Sequence, residues 1–215
     1  MRPCVVNLIT TDGGYSKGQQ RLIFKMQSQS IPLITFIGEH QVKSPLHQDN
    51  PYAFKIYAID AARKMGYEQV LWVDASVYPV RNIMPVFEYM RDKGIFLEHA
   101  GHVAGRWSTD KALRYFGVTK EEANQMPMFA AGYCGFDFTN KISRDFFAKW
   151  QAAMLMGMFQ GTWEESRHDM AAGSIIANQM GLLPLYSTGG QFFAYVGNGY
   201  AEPSKTSVFH LQGVI

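Results

Sequence analysis

Cysteine is scarce. Cys4 and Cys134 are the only two in the chain, and neither sits in a Cys-x-x-Cys pair or a secreted-type framework, so no disulfide is needed and a reducing compartment is expected. Charge is sparse as well: charged residues make up 18%, with 20 Lys and Arg against 18 Asp and Glu. The basic residues are scattered singly, so the stripe that would track a phosphate backbone is missing and nucleic acid is not an expected partner. Long apolar runs are lacking. The opening MRPCVVNLITTDGGY carries one Arg and an apolar run of about six residues, too short for a secretory h-region or a bilayer span. These absences make a cytoplasmic protein with no membrane span the expectation. There is no internal repeat or low-complexity tract, and no HExxH, GxGxxG or P-loop spacing.

What remains is 215 residues of which 47% are hydrophobic, enough for one sizeable core, so a single α/β domain over 1–215 is expected. Short β-rich runs alternate with helical patterns, the signature of a mostly parallel central sheet flanked by helices. Cys4 to Ile9 reads as a first strand that stops in TTDGGYSKG, followed by a helix from about Lys17 to Gln27 and a strand from Pro32 to Ile37. Tyr52 to Met65 has apolar residues at helical spacing and a natural stop at Gly66, and QVLWV, Gln69 to Val73, is a buried strand. Asn82 is placed to cap a helix through about Lys93, Gly94 to end it, and Ile95 to Leu97 to form another strand. A helical insertion over Ser108 to Asn124, a strand over Gly132 to Phe138 and helices over Lys141 to Met156 and His168 to Met180 complete the pattern. The Gly- and aromatic-rich tail from Leu182 reads as short strands or loops folding back over the sheet.

Ligands of open α/β sheets sit outside the carboxyl ends of the strands, which makes Asp74, leaving QVLWV, the strongest candidate for chemistry. A hard oxygen ligand there can hold Mg²⁺ or Mn²⁺ against diphosphate oxygens; the same residue is also a common turn former. The loop after the first strand opens a helix and offers backbone N–H groups to an anion or a base edge, or is an ordinary turn. Lys55 reads as a phosphate ligand or a solvated helical lysine. Arg167, His168 and Asp169 open a helix at the sheet edge, and no second His at ligand spacing supports zinc. His210, taken alone, reads as a packed histidine.

In order and spacing these stretches resemble nucleotide-sugar glycosyltransferases of the GT-A fold, and most closely the retaining family that contains glycogenin and the bacterial lipopolysaccharide galactosyltransferases. The resemblance spans nearly the whole chain. NLITTDGGYSKGQQRL is similar to the family's first strand and loop, which implies Thr10, Thr11 and Tyr15 around the uracil of a UDP-sugar donor. AFKIYA and VLWVDASVYPVRNI resemble its lysine helix and metal-binding strand end, implying Lys55 as a diphosphate or donor-sugar ligand, Asp74 as a metal ligand and Ala75 as a ribose contact. FAAGYCGFDF is similar to the small-residue strand beside the donor sugar, implying Ala130, Ala131 and Gly132. RHDMAAGSIIAN resembles the Asp-Gln segment, implying His168 near the donor and Asp169 as the catalytic carboxylate facing the sugar, together with Lys55. FHLQG resembles the family's His-x-x-Gly, implying His210 as the last metal ligand and Gly213 against the diphosphate.

The resemblance thus implies a Mn²⁺- or Mg²⁺-dependent transfer from a UDP-sugar to a glycan or other hydroxyl acceptor. Three departures stand out. Ser76 replaces the second acid of Asp-x-Asp and is a neutral, weaker metal ligand; Met170 replaces the usual Gln; and the Lys expected beyond Gly213 has no counterpart before Ile215, as in a catalytic domain cut from a longer chain. Two rivals remain open at this point: a nucleotidyltransferase, which needs a more basic first loop, and an inactive nucleotide-sugar-binding module. The acceptor is expected near the 100–127 insertion and the 187–205 tail.

Overall fold

The computed structural model describes residues 1–11, 15–182, 184–185, 193–195 and 207–211. Its first half runs β1 (Pro3–Ile9), α1 (Ser16–Met26), β2 (Leu33–Ile37), α2 (Ala53–Lys64), β3 (Gln69–Val73), β4 (Val77–Pro79), α3 (Met84–Lys93) and β5 (Ile95–Phe96). Its second half runs β6 (His99–Val103), α4 (Asp110–Phe116), α5 (Lys120–Ala123), β7 (Pro127–Phe129), β8 (Tyr133–Asp137), α6 (Lys141–Leu155), α7 (His168–Gln179), β9 (Phe193–Tyr195) and β10 (Phe209–Leu211).

The main sheet has the order β2-β1-β3-β8-β5. β1 is parallel to β2 and β3, whereas β8 is antiparallel to both β3 and β5, so β8 alone opposes the others. The mostly parallel sheet expected from the alternation is therefore present. Successive side chains of a strand go to opposite faces, and here both faces are covered, which is why β1, β3 and β8 are mostly apolar along their length, with Asn7 the polar exception inside β1. Val6, Leu8, Val70, Trp72, Cys134 and Phe136 enter one core with α2, α6 and α7. Val5, Leu71, Val73 and Tyr133 enter the other with Leu22 and Met26 of α1 and with Val86, Phe87 and Met90 of α3. Each large side chain buried this way contributes roughly 1.5–3 kcal/mol.

A buried polar chain aligns the strand ends near the loops. Asn7 Nδ2 donates to the carbonyl of Val73 at 2.7 Å, and Gln19 Nε2 donates to Asn7 Oδ1 at 2.8 Å and to the carbonyl of Phe36 at 3.1 Å. One α1 side chain thereby ties β1, β2 and β3 together. Buried polar groups satisfied in this manner specify geometry, because leaving one unmet costs about 1–3 kcal/mol.

The helical insertion expected over 108–124 is present as two helices: α4 stops at Gly117, whose φ of 65° is left-handed, and α5 restarts behind a capping box of Thr119 and Glu122. The pair sits within an antiparallel β6–β7 hairpin and packs on α7 through Leu113, Ala123, Met128 and Ile175. Asn82 caps the start of α3 as expected: its Oδ1 accepts from the N–H of Met84 at 3.0 Å, Ile83 between them already has helical backbone, and Pro85 lies in the first turn. β4, unforeseen in the sequence, joins the tail: β10 is antiparallel to β4 and parallel to β9 in a second, three-stranded sheet. Among the described residues no helix is long and apolar enough to cross a membrane.

Candidate active site

β3 is buried along its whole length between β1 and β8, and Asp74 is the first residue beyond it. Its N–H donates to the carbonyl of Gly132 at 2.7 Å and its carbonyl accepts from Val77 at 2.9 Å, which locks the turn. Residues 72 and 74 lie on the same side of the strand line. Accordingly, Trp72 Nε1 donates to Asp74 Oδ1 at 2.7 Å.

Lys55 comes up from α2, with only 2% of its surface exposed. Its Nζ donates to the carbonyl of Ala131 at 2.9 Å and forms ion pairs with Asp169 Oδ2 at 3.0 Å and Asp74 Oδ1 at 3.4 Å. The rings of Tyr52 and Trp72 flank the ammonium at 5.0 and 5.8 Å. Burial by itself would push the lysine pKa down, but Asp169 and Asp74 outweigh it and hold the ammonium above its ordinary range. Burial raises the pKa of Asp169, against the opposing pull of Lys55. Among the described residues Asp169 Oδ2 is buried without an aligned hydrogen bond, so the ion pair with Lys55 is its compensation.

In front of this cluster lies a cavity of about 280 Å³. The end of β1 supplies Leu8, Ile9 and Thr10, the start of α1 supplies Tyr15, and the turn after β3 supplies Asp74, Ala75 and Ser76. His47, Tyr52 and Phe54 close the remaining side. Glycine is what allows α1 to approach this turn: a Cβ on Gly18 would sit 2.4 Å from the carbonyl oxygen of Ala75. Gly132 is similarly placed, since its Cβ would stand 3.3 Å from Asp74 Oδ2.

Most residues singled out in the sequence therefore converge. Thr10, Tyr15, Asp74, Ala75 and Ser76 share the cavity wall, and Lys55, Asp74, Ala131 and Asp169 meet directly. Ala130, half-buried just before Ala131, donates its N–H to the carbonyl of Glu98 at 2.7 Å. Thr11 is exposed and is not part of the cavity wall; its side chain instead lies against Gly38. His168 is buried at the start of α7, its Nδ1 bonded to the carbonyl of Phe159 at 2.8 Å, so that nitrogen carries the proton. Gly213 lies outside the described residues.

His210 is buried on β10 opposite Tyr78, with their rings edge-to-face at 5.7 Å. This pairing returns the tail to the segment that leaves Asp74. Burial pushes the imidazole pKa down, with Arg81 and Lys25 adding to it, and its Nε2 is enclosed with no hydrogen-bond partner among the described residues. Among the described residues no group of three or more His, Cys, Asp or Glu side chains is arranged to hold a metal.

Sequence reasoning overlooked Trp72, His47 and Tyr52. The first was readable from the period-2 relation in LWVD. The others were not, because the contacts are tertiary: Glu39 Oε1 accepts from the N–H of His47 at 2.9 Å, and His47 Nδ1 accepts from the N–H of Tyr52 at 3.1 Å.

No known family profile matches the sequence, and no curated protein matches it. Solved structures do. A glycosyltransferase involved in the glycosylation of the major capsid of PBCV-1 superposes with a TM-score of 0.58 at 14% identity, over 97% of this chain and 93% of that one. Mouse xyloside xylosyltransferase 1 gives a TM-score of 0.54 at 7% identity, covering 98% of this chain and 97% of its own. The WbbM bifunctional glycosyltransferase also gives 0.54, at 11% identity, over 97% of this chain, which spans 45% of that protein. The fold is the GT-A glycosyltransferase fold, as the sequence resemblance implied.

Proposed function

We propose that the protein is a glycosyltransferase that moves a sugar from a UDP-sugar to a hydroxyl of a glycan or other acceptor, with retention at the anomeric carbon. The observation that carries this reading is the buried ion pair of Lys55 and Asp169 joined, through Lys55, to Asp74 on the wall of a cavity shared with Thr10, Tyr15 and the rest of the 74–76 turn. The cavity opens at the carboxyl end of β3, where an α/β sheet binds its ligand. Thr10 and Tyr15 hold the uracil, the N–H of Ala75 meets the ribose, and Asp169 faces the sugar.

Asp74, Ser76 and His210 are the residues that would hold Mn²⁺ or Mg²⁺: Asp74 and Ser76 line the cavity, and His210, on the strand paired with β4, has an enclosed Nε2 with no hydrogen-bond partner among the described residues, which favours a ligand there. Asp74 Oδ1 is committed to Trp72 and Lys55, which leaves Oδ2 for the cation. When bound, the ion would neutralise charge on the departing diphosphate.

In the reaction, the bond from the anomeric carbon to the diphosphate oxygen breaks and the acceptor oxygen bonds to the same face. The acceptor proton passes to the released phosphate oxygen. Asp169 stabilises the oxocarbenium-like centre from its buried position, where low dielectric strengthens its effect. All of the Lys55 contacts already go to protein groups, so its task is to hold the two carboxylates in place as much as to attract phosphate.

Thermal melting with UDP, with and without Mn²⁺, tests the reading. Saturation near a hundred times Kd should raise the melting temperature by roughly 5–10 °C. No shift and no calorimetric heat would overturn it. An inactive binding module, favoured by Ser76 and Met170 in place of polar groups, predicts the same shift but no release of free sugar from any UDP-sugar with metal present.

A further inference from the structure

Beyond the lip of the cavity the chain builds a shelf of rings. Tyr52, part of the cavity wall, lies 5.3 Å from the ring of His168 with the planes at 33°. Trp163 continues the row, 5.8 Å from His168 at 31° and 6.5 Å from Tyr52 at 37°. Rings so oriented form a tilted mosaic rather than the edge-to-face contacts common in the cores.

Two further features set the shelf apart. The guanidinium of Arg167 is pinned between indoles, 4.1 Å from the Trp163 ring and 3.5 Å from that of Trp107, and it donates to the carbonyl oxygens of Trp163 and Ser166. Trp163 is thus held in position although 54% of it is exposed. Tyr52 and His168 both have left-handed backbone, with φ of 59° and 47°. Such conformations cost about 1–3 kcal/mol in a bulky residue and cluster where a ligand is gripped.

We propose that this shelf is the acceptor subsite and that its occupant is a pyranose ring of a glycan, stacked on Trp163 and Tyr52. The inference rests on the glycosyltransferase reading of the site. A pyranose has an apolar C–H face that covers an indole and a rim of hydroxyls that needs polar neighbours. Glu164 and Glu165, both exposed beside Trp163, supply acceptors for that rim. The rings run from Tyr52 in the cavity wall to Trp163 outside it, packed on His168, the residue before Asp169, so an acceptor stacked on them would lie beside the donor cavity.

Saturation-transfer NMR with lactose, maltotriose, cellotriose and chitotriose in the millimolar range tests the subsite without the donor. At least one saccharide should show transfer to its ring C–H protons, Trp163→Phe should keep the signal, and Trp163→Ala should weaken binding by about tenfold or more, the loss of one stacking contact. Melting curves of both variants report that the fold is intact. Silence from all four saccharides, or equal signals from wild type and Trp163→Ala, would overturn the subsite while leaving UDP binding as the separate measure of the underlying reading. Absence of UDP binding together with a Trp163-dependent saccharide signal would instead overturn the enzymatic reading and retain a carbohydrate site.

Discussion

The Lys55 cluster and the Trp163 shelf are neighbours built in opposite ways. Lys55 and Asp169 are nearly sealed, carried on α2 and α7, and compensated by each other inside the protein. Trp163 is more than half exposed, on the segment between α6 and α7, and held by a stacked guanidinium. The contrast fits a division of labour. Charge acting on a reacting bond gains from rigid, low-dielectric placement, whereas recognition of a variable partner tolerates a loop and gains from open ring surface.

The comparison breaks most visibly at Lys55. Lys55→Ala leaves Asp169 buried without a partner and should lower stability by about 3–5 kcal/mol, read in urea denaturation, while abolishing transfer. Replacing both partners, Lys55→Met with Asp169→Leu, should recover much of the stability and none of the activity. If the double variant is as unstable as the single, the ion pair is not what sets the cost.

Gly18→Ala should come next. Its Cβ would meet the Ala75 carbonyl at 2.4 Å, a backbone atom that cannot swing away, so about 1–3 kcal/mol of overpacking is expected together with weaker UDP binding by calorimetry. Trp72→Phe keeps an aromatic ring but deletes the donor to Asp74 Oδ1; roughly tenfold lower kcat/KM is expected, since a hydrogen bond to a charged group is worth about 1.5–3 kcal/mol. An unchanged kcat/KM would show that Asp74 needs no orienting partner.

The smallest effect belongs to a surface cluster away from both regions. Asp60 pairs with Lys64 and Arg63, each at 2.7 Å. Burial alone would raise its carboxyl pKa, but the hydrogen bonds from Lys64 and Arg63 hold it below the usual value. A depressed carboxylate pKa stabilises the fold at pH above the ordinary value near 4 and loses that contribution as pH falls through the lowered one. Asp60→Asn should therefore cost only about 0.5 kcal/mol at neutral pH and almost nothing in strong acid, measured by melting across pH.

Particular stretches explain what was readable. QVLWVD announced a buried strand with a carboxylate at its end, because four apolar residues, Val70 to Val73, bounded by polar ones have few other uses in a sheet covered on both faces. The Gly94 stop was equally plain, with φ at 83°. The Gly117-Val118-Thr119 stop and restart uses the same chemistry and divides the helical insertion of 108–124 in two. His47 left no local trace. It reaches the cavity through a hydrogen bond from its N–H to Glu39, eight residues away, and nothing in the intervening loop encodes that contact as a pattern.

By itself the sequence determined the strands of the main sheet and the helices that cover it, though not the short strands β4, β6 and β7, and it determined that Asp74 would stand at a strand end, since periodicity and local turn chemistry act over a few residues. The tertiary structure decided that Lys55, Asp74 and Asp169 share one ion-pair cluster, and that Tyr52, His168 and Trp163 form one shelf. Those groups are brought together by packing of elements far apart in the chain, and ion pairs and ring contacts depend on distances in space that no local pattern carries.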